Sequence, residues 1–281
     1  MRWYDDQVAS LPFETEPQFV ATPSGRTHIL VAGPKAAPPV LLLHGMGMNA
    51  AAMIGAVRAL GEDFRVYAVD TVGMPGKSDG TRPERNGEGY PLWLEAVLVE
   101  LGLESAHFVG VSFGGWMILK LAARAPSRVR TASLLDTGGL VPFTLRGQLV
   151  AGLGAVRYVL RPTPGNGLRA ARPLFASGAP LDPDFVVLLT LGYRHAKLDV
   201  DRSGLPVIRA EDLSGFDGPA FVSFGAEDVF FDVERACARA WVVLSGLETC
   251  EIIPERGHAP TSDQGALLYD RVRSFLFKHA V

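Results

Sequence analysis

The order of apolar and polar positions changes period along the chain, and the changes outline a fold. Residues 18–22 and 27–31 read as two strands joined at Pro23-Ser24-Gly25, a hairpin signature. After a proline-rich stretch comes Val40-Leu41-Leu42-Leu43, an unbroken apolar run of the kind buried on both faces of a parallel sheet. Helical and strand periods then take turns. Residues 49–60 are helical, with Gly61 placed as a left-handed cap, 65–69 strand-like, 92–101 helical and 106–111 strand-like. Residues 113–124 form a helix that ends ahead of Pro126, and 129–135 a buried strand. Strands alternating with helices at this spacing predict right-handed crossovers and a mostly parallel sheet.

The alternation breaks at Thr137-Gly138-Gly139. From Leu140 to about Ser214 the chain is helix-prone, punctuated by proline and glycine and poor in strand runs. Sheet character resumes at 220–224, followed by a helix at 233–244, a strand at 249–253 and a helix at 264–277. The expectation is an α/β core made of residues 1–136 and 215–281, carrying residues 137–214 as an inserted helical cap. Within the cap, Leu149, Val150, Leu153, Val156, Tyr158 and Val159 are dense enough for one face to pack over a site mouth as a lid, with Gly138-Gly139 as its hinge.

Composition narrows the function. The chain has 281 residues, 48% hydrophobic and 20% charged, an ordinary core-forming balance. A formal net charge of −3 argues against a polybasic nucleic-acid binder. No apolar run approaches the ~20 residues of a membrane helix, and residues 1–17, with Asp5, Asp6, Glu14 and Glu16, lack the form of a signal peptide. No nucleic-acid or membrane partner is expected, and the working place is expected to be cytoplasmic. Cys237 and Cys250 read as separate thiols of a reducing compartment, without metal-ligand spacing. Charge is nevertheless uneven: residues 137–181 hold Arg146, Arg157, Arg161, Arg169 and Arg172 and no Asp or Glu. One or two of these at the mouth would favour an acyl substrate with a carboxylate or phosphate tail.

Candidate chemistry starts from G-x-S-x-G, in which glycines flanking a serine leave room for a strained turn that lifts the hydroxyl clear of the backbone. The pattern occurs twice, at Gly76–Gly80 around Ser78 and at Gly110–Gly114 around Ser112. Only Ser112 has a strand running into it and a helix leaving it, so Ser112 is the candidate nucleophile and Ser78 a turn residue. Of the histidines, His28 and His107 sit within strands, His279 near the C-terminal end, and His195 in the cap, where it could touch substrate. His258 alone follows a late strand, between Gly257 and Pro260, and is the candidate general base. Asp228, just past the strand at 220–224, is the favoured orienting acid, with Glu227 and Asp136 as rivals. An oxyanion hole needs two aimed N–H groups, expected from Phe113 at a helix start and from Met46 in His44-Gly45-Met46-Gly47. His44, Gly45, Met46, Trp116, Leu140 and His195 are the candidate substrate contacts. A phosphate loop ending in Gly76-Lys77-Ser78 fails because Thr71 stands where its first glycine belongs.

These residues together resemble a capped α/β-hydrolase of the serine-esterase type, over about residues 17–277. The family's D-x-x-G-x-G-x-S pattern begins here at Asp70 but runs one residue longer through Met74-Pro75, a departure confined to a structural turn. The resemblance implies an eight-stranded, mostly parallel sheet, no cofactor or metal, a small-molecule partner and acyl-enzyme chemistry. The leading expectation is hydrolysis of a carboxylic ester of a small or medium hydrophobic acyl group. The alternatives are C–C hydrolysis of a diketone-like ring-cleavage product, or other acyl cleavage, on the same triad, and a non-catalytic ligand-binding homologue.

Overall fold

The structure, a computed structural model, describes residues 1–195 and 205–280; residues 196–204, within the expected cap, and residue 281 lie outside it. A short helix α1 (Arg2–Ala9) precedes the hairpin β1 (Thr15–Thr22) and β2 (Gly25–Ala32). Then come β3 (Pro39–Leu43), α2 (Ile54–Leu60), β4 (Arg65–Val69), α3 (Gly89–Glu100), β5 (Ala106–Val111), α4 (Phe113–Arg124) and β6 (Val129–Leu135). The cap helices are α5 (Leu145–Leu160), α6 (Pro164–Ala171) and α7 (Pro183–His195). The core closes with β7 (Ala220–Gly225), α8 (Val233–Val243), β8 (Leu247–Ile253) and α9 (Ser262–Lys278).

The strands form one eight-stranded sheet in the order β1-β2-β4-β3-β5-β6-β7-β8. β1 and β2 pair antiparallel and β2 joins β4 antiparallel, while every pair from β4 to β8 is parallel. The apolar run at 40–43 explains the centre: Val40, Leu41, Leu42 and Leu43 are all wholly buried, as a strand covered on both faces must be. Each such side chain contributes roughly 1.5–3 kcal/mol relative to exposure. One core packs α3, α4 and α8 on one face, and a second packs α2 and α9 on the other. A third, smaller cluster joins the cap to the loops after β7 and β8 through Leu174, Phe175, Leu189, Val229 and Ala259. The cap thus rests on the carboxyl edge of the sheet.

Three local expectations are corrected. Gly61 ends α2 with φ −70°, an ordinary right-handed value. It is glycine for space, because a Cβ there would lie 2.5 Å from the ring of Phe13. Cys237 and Cys250 are not separate thiols but a disulfide, since α8 packs against β8 and brings their Cα atoms to 5.8 Å. The apolar residues of α5 divide: Val150 packs against the cap cluster and Tyr158 is buried, but the other four do not pack over a mouth. The inward side of α5 is filled by Gly147 and Tyr158, with Gly154 set against Ala170 of α6, and Leu149, Leu153, Val156 and Val159 face solvent. Among the described residues, no helix is long and apolar enough to cross a membrane.

Candidate active site

Parallel strands carry their carboxyl ends to one edge, and the sheet order sets β5, β6, β7 and β8 side by side there. Ser112 follows β5, Asp136 follows β6, Asp228 sits three residues beyond β7 and His258 five beyond β8. The backbone ties these tips together. Ser112 N–H donates to Leu135 O (2.9 Å), Asp136 N–H to Ser223 O (2.8 Å) and Glu227 N–H to Arg256 O (2.9 Å).

Ser112 has φ 54° and ψ −106°, a conformation that non-glycine residues rarely hold unless the surroundings enforce it. The flanking glycines provide that enforcement. A Cβ on Gly110 would lie 2.5 Å from the Gly114 carbonyl carbon, and one on Gly114 would run into the Leu43 carbonyl. Helix α4 therefore leaves hard against the end of β5, and the serine is held at the bend.

His258 is largely buried; its Nδ1 lies 2.7 Å from Asp228 Oδ2. Asp228 Oδ1 accepts the Phe230 N–H at 2.7 Å, and the Phe230 ring stands edge-on to the imidazole at 4.6 Å. Because Asp228 accepts on both oxygens, the proton belongs on Nδ1, which leaves Nε2 as the basic nitrogen. Burial pulls the imidazole pKa down, but the charge and hydrogen bond of Asp228, with the charge of Asp136, outweigh it; the net shift is upward. Among the described residues, no hydrogen bond of the Ser112 hydroxyl closes.

The rival acids are occupied elsewhere. Glu227 accepts the Ser177 N–H at 2.8 Å and so anchors the cap. Asp136, at φ 46°, is clamped by both terminal nitrogens of Arg256 at 2.6 and 3.0 Å and accepts the Gly225 N–H at 2.9 Å. Burial pushes the Asp136 pKa up and Arg256 opposes the rise. With donors on every side, the carboxylate is the form its neighbours can satisfy. Asp136, Asp228 and His258 offer ligand atoms within 4.8 Å of one another. A metal ion there would nevertheless face the fixed charge of Arg256. Removing one partner of a buried pair strands the other, so Arg256→Met is expected to lower stability by about 3–5 kcal/mol, read from urea unfolding. Arg256 was not among the sequence candidates; its partner lies 120 residues upstream.

The oxyanion loop follows β3. Met48 N–H donates to Gly45 O (3.2 Å), and Gly47 adopts φ +73°, closing a turn with Met46 at its exposed corner. A Cβ built on Gly45 would lie 3.8 Å from that of Ser112, so the loop runs beside the serine. Phe113 is the first residue of α4, where helical N–H groups have no partner within the helix.

The remaining candidate contacts fall into different places. His44 is buried; its Nδ1 donates to Gly45 O (2.8 Å) and its Nε2 accepts the Thr71 N–H (3.1 Å). Burial lowers its pKa, and the neutral ring braces the loop with no polar atom left for a ligand. Trp116 is wholly buried, stacked on Phe113 at 5.4 Å, with its indole N–H on Pro206 O. Leu140 is core. These three support the site from behind, because the wall they occupy is already filled. His195 is exposed at the end of α7. Ser78 is spent in a latch: its hydroxyl donates to Asp70 O (2.5 Å) and accepts the His28 N–H (2.8 Å). Of the cap arginines, Arg172 donates to Ala176 O and Ala179 O within its own turn. Arg157, Arg161 and Arg169 line a cleft that shares no residue with the triad or the oxyanion loop.

Residues 38–158 match the family model described as the alpha/beta hydrolase fold. Among curated proteins, the chain is 30% identical over 280 residues to carboxylesterase YbfK of Bacillus subtilis, covering 97% of this chain and 92% of that protein. The crystal structure of that carboxylesterase, CesB (YbfK), superposes with a TM-score of 0.85 at 28% identity, covering 98% of this chain and 96% of the other. Naproxen esterase (carboxylesterase NP) from Bacillus subtilis superposes with the same TM-score of 0.85 at 25% identity over 98% and 96% of the two chains. With full-length similarity of this kind, the chain belongs to the α/β-hydrolase family, as a cap-bearing member of its carboxylesterase-type hydrolases.

Proposed function

We propose that the chain hydrolyses carboxylic esters of small or medium hydrophobic acyl groups through an acyl-enzyme on Ser112, with His258 as general base and Asp228 orienting it. The observation that carries this reading is the Asp228–His258 hydrogen bond of 2.7 Å at the sheet edge where Ser112 is held at the bend. The hydroxyl turns to Nε2, gives up its proton and attacks the ester carbonyl. The N–H groups of Met46 and Phe113 hold the oxyanion, a contribution of about 10²–10³ in rate for each donor. His258 then passes the proton to the departing alkoxide, and a water, deprotonated by the same nitrogen, releases the acid and restores Ser112.

The acyl side is read from apolar surroundings. Met48, Val150, Phe185 and Phe230 are partly buried against the cap cluster that includes Ala259, next to His258. Gly45 and Met46 border the serine, and His195 remains a candidate contact at the rim. In this reading residues 137–214 act as the cap and residues 1–136 with 215–281 as the core. A cytoplasmic working place follows the sequence expectation, and the Cys237–Cys250 disulfide weighs against it.

The test is turnover of p-nitrophenyl esters of increasing chain length beside a vinylogous diketone, with fluorophosphonate labelling followed to the modified residue. Ester turnover, no diketone cleavage and a label on Ser112 are expected. Faster diketone cleavage would make C–C hydrolysis the better reading, and neither turnover nor label would leave a binding protein.

A further inference from the structure

The outer side of α5 is apolar where a solvated helix is usually polar. Leu145, Leu149, Leu153, Val156, Val159 and Leu160 are between 52% and 76% exposed. At 3.6 residues per turn they fall within about a third of the helix circumference, opposite the buried Gly147 and Tyr158. Single exposed leucines are ordinary, but a continuous stripe of them marks a surface with something to cover it.

Charge says what that something is. Arg146 and Arg157 lie along one edge of the stripe by the same geometry, and no Asp or Glu occurs in residues 137–181. Where the stripe ends at Leu160, an open cleft of about 540 Å³ is walled by Arg157, Arg161 and Arg169. Buried Asn166 builds this cleft. Its side-chain oxygen accepts from Arg157 Nε (3.1 Å) and from a terminal nitrogen of Arg169 (3.2 Å), and its amide donates to Arg161 O (2.8 Å). Like charges gathered on a neutral amide, without a carboxylate from the same segment, suit an anion of more than one charge or several phosphates side by side.

We propose that this face of the cap docks the protein peripherally on an anionic phospholipid surface, the leucine stripe entering the acyl boundary and the arginine cleft taking headgroup phosphates. The combination is that of a helix lying in the interface plane, apolar below and arginine-flanked above. A second copy of this chain fits less well. Two-fold pairing of α5 on itself sets Arg146 of one copy toward the Arg157–Arg161 end of the other if antiparallel, or like arginine toward like arginine if parallel, in both cases with no acid from the segment between them. The docked face also connects to the site. Thr144, at the start of α5, donates through its hydroxyl to Val229 O (2.6 Å) and through its N–H to Phe230 O (2.8 Å), beside His258. The proposal goes beyond ester hydrolysis and does not rest on it.

Flotation of the full chain with vesicles of equimolar phosphatidylglycerol and phosphatidylcholine, and with phosphatidylcholine alone, tests it without turnover. Binding to the anionic vesicles only, weakened by salt, is expected. Replacing Arg157, Arg161 and Arg169 together by Gln should weaken partition roughly five-fold per arginine, on the order of 100-fold in all. Leu149→Ser with Leu153→Ser and Leu160→Ser should weaken it by about 100-fold or more. The leucine variant, whose replaced side chains are all exposed, should keep the wild-type unfolding midpoint, which separates lost docking from lost folding. Failure to float with either vesicle, or equal partition into both, would overturn the proposal. So would a wild-type dimer in sedimentation that the leucine variant converts to monomer while vesicle binding is absent; the stripe would then belong to a second copy.

Discussion

Ser112→Ala is expected to lower kcat for a p-nitrophenyl ester by on the order of 10⁶-fold, with KM little changed and the initial burst of p-nitrophenol abolished. The size of the effect follows from what the hydroxyl does: it is the atom that becomes acylated, so its interaction exists in the transition state and hardly at all in the bound ester. A residual acceleration of about 10³–10⁴ over water should remain, from the oxyanion donors and binding alone. The fold has little reason to change. Ser112 N–H and C=O are held by Leu135 O and by the Gly138 and Trp116 N–H groups, none of which involves the side chain. Comparing unfolding midpoints checks that. Activity near the wild-type level in the variant would place the nucleophile elsewhere, and Ser78, the other serine in the same pattern, has its hydroxyl engaged on Asp70 O.

The second large effect belongs to Asp228. Asp228→Asn is expected to reduce kcat/KM by about 10⁴-fold, because an amide at Nδ1 can present its NH2 and drive the imidazole proton to Nε2, where a base is needed. The pH profile carries an independent signature. His258 must be neutral to accept the serine proton, so activity falls as pH drops through its pKa. In the wild type that pKa stands above the ordinary 6.5, Asp228 outweighing burial, so the acid limb lies above 6.5. In Asp228→Asn the larger of the two charges that oppose burial is gone and only the smaller one, Asp136, remains, so the limb of the residual activity moves to lower pH. An unmoved limb would mean that Asp228 does not face the ionising group. Asp136 is close enough to be asked for rescue, yet both its oxygens are held by Arg256, so the loss in Asp228→Asn should be nearly complete. Asp136→Asn should act chiefly on stability, by leaving a buried guanidinium without its anion.

Much of the architecture is legible in the amino-acid order alone. The strand at 106–111, the helix at 113–124 and the strand at 129–135 are found with those bounds, because an unbroken apolar run and a 3.6-residue period are local properties of a few consecutive side chains. Ser112 and His258 stood out for a related reason: each lies where a strand ends and a tight turn must begin, and glycines beside them signal that turn. The helix expected at 49–60 was blurred. Its first turn is a 3₁₀ segment capped by Asn49, an i+3 pattern that a hydrophobic period does not distinguish from α.

What the tertiary structure alone decided are matters of partnership. Three acids, Asp136, Glu227 and Asp228, all sit at strand ends, and nothing local says which will meet His258. The choice is made by Arg256 taking one and the Ser177 N–H of the cap another. Cys237 and Cys250 differ from free thiols only because α8 packs on β8. The apolar residues of α5 have a period that predicts a helix face but carries no sign for inward or outward; glycines on the opposite side, Gly147 seated against Phe230 and Gly154 against Ala170 of α6, turned that face to the outside. Amino-acid order sets periodicity and turns through neighbours a few bonds apart, whereas pairing, burial and direction depend on contacts between distant segments, whose energies exist only once the sheet has brought them together.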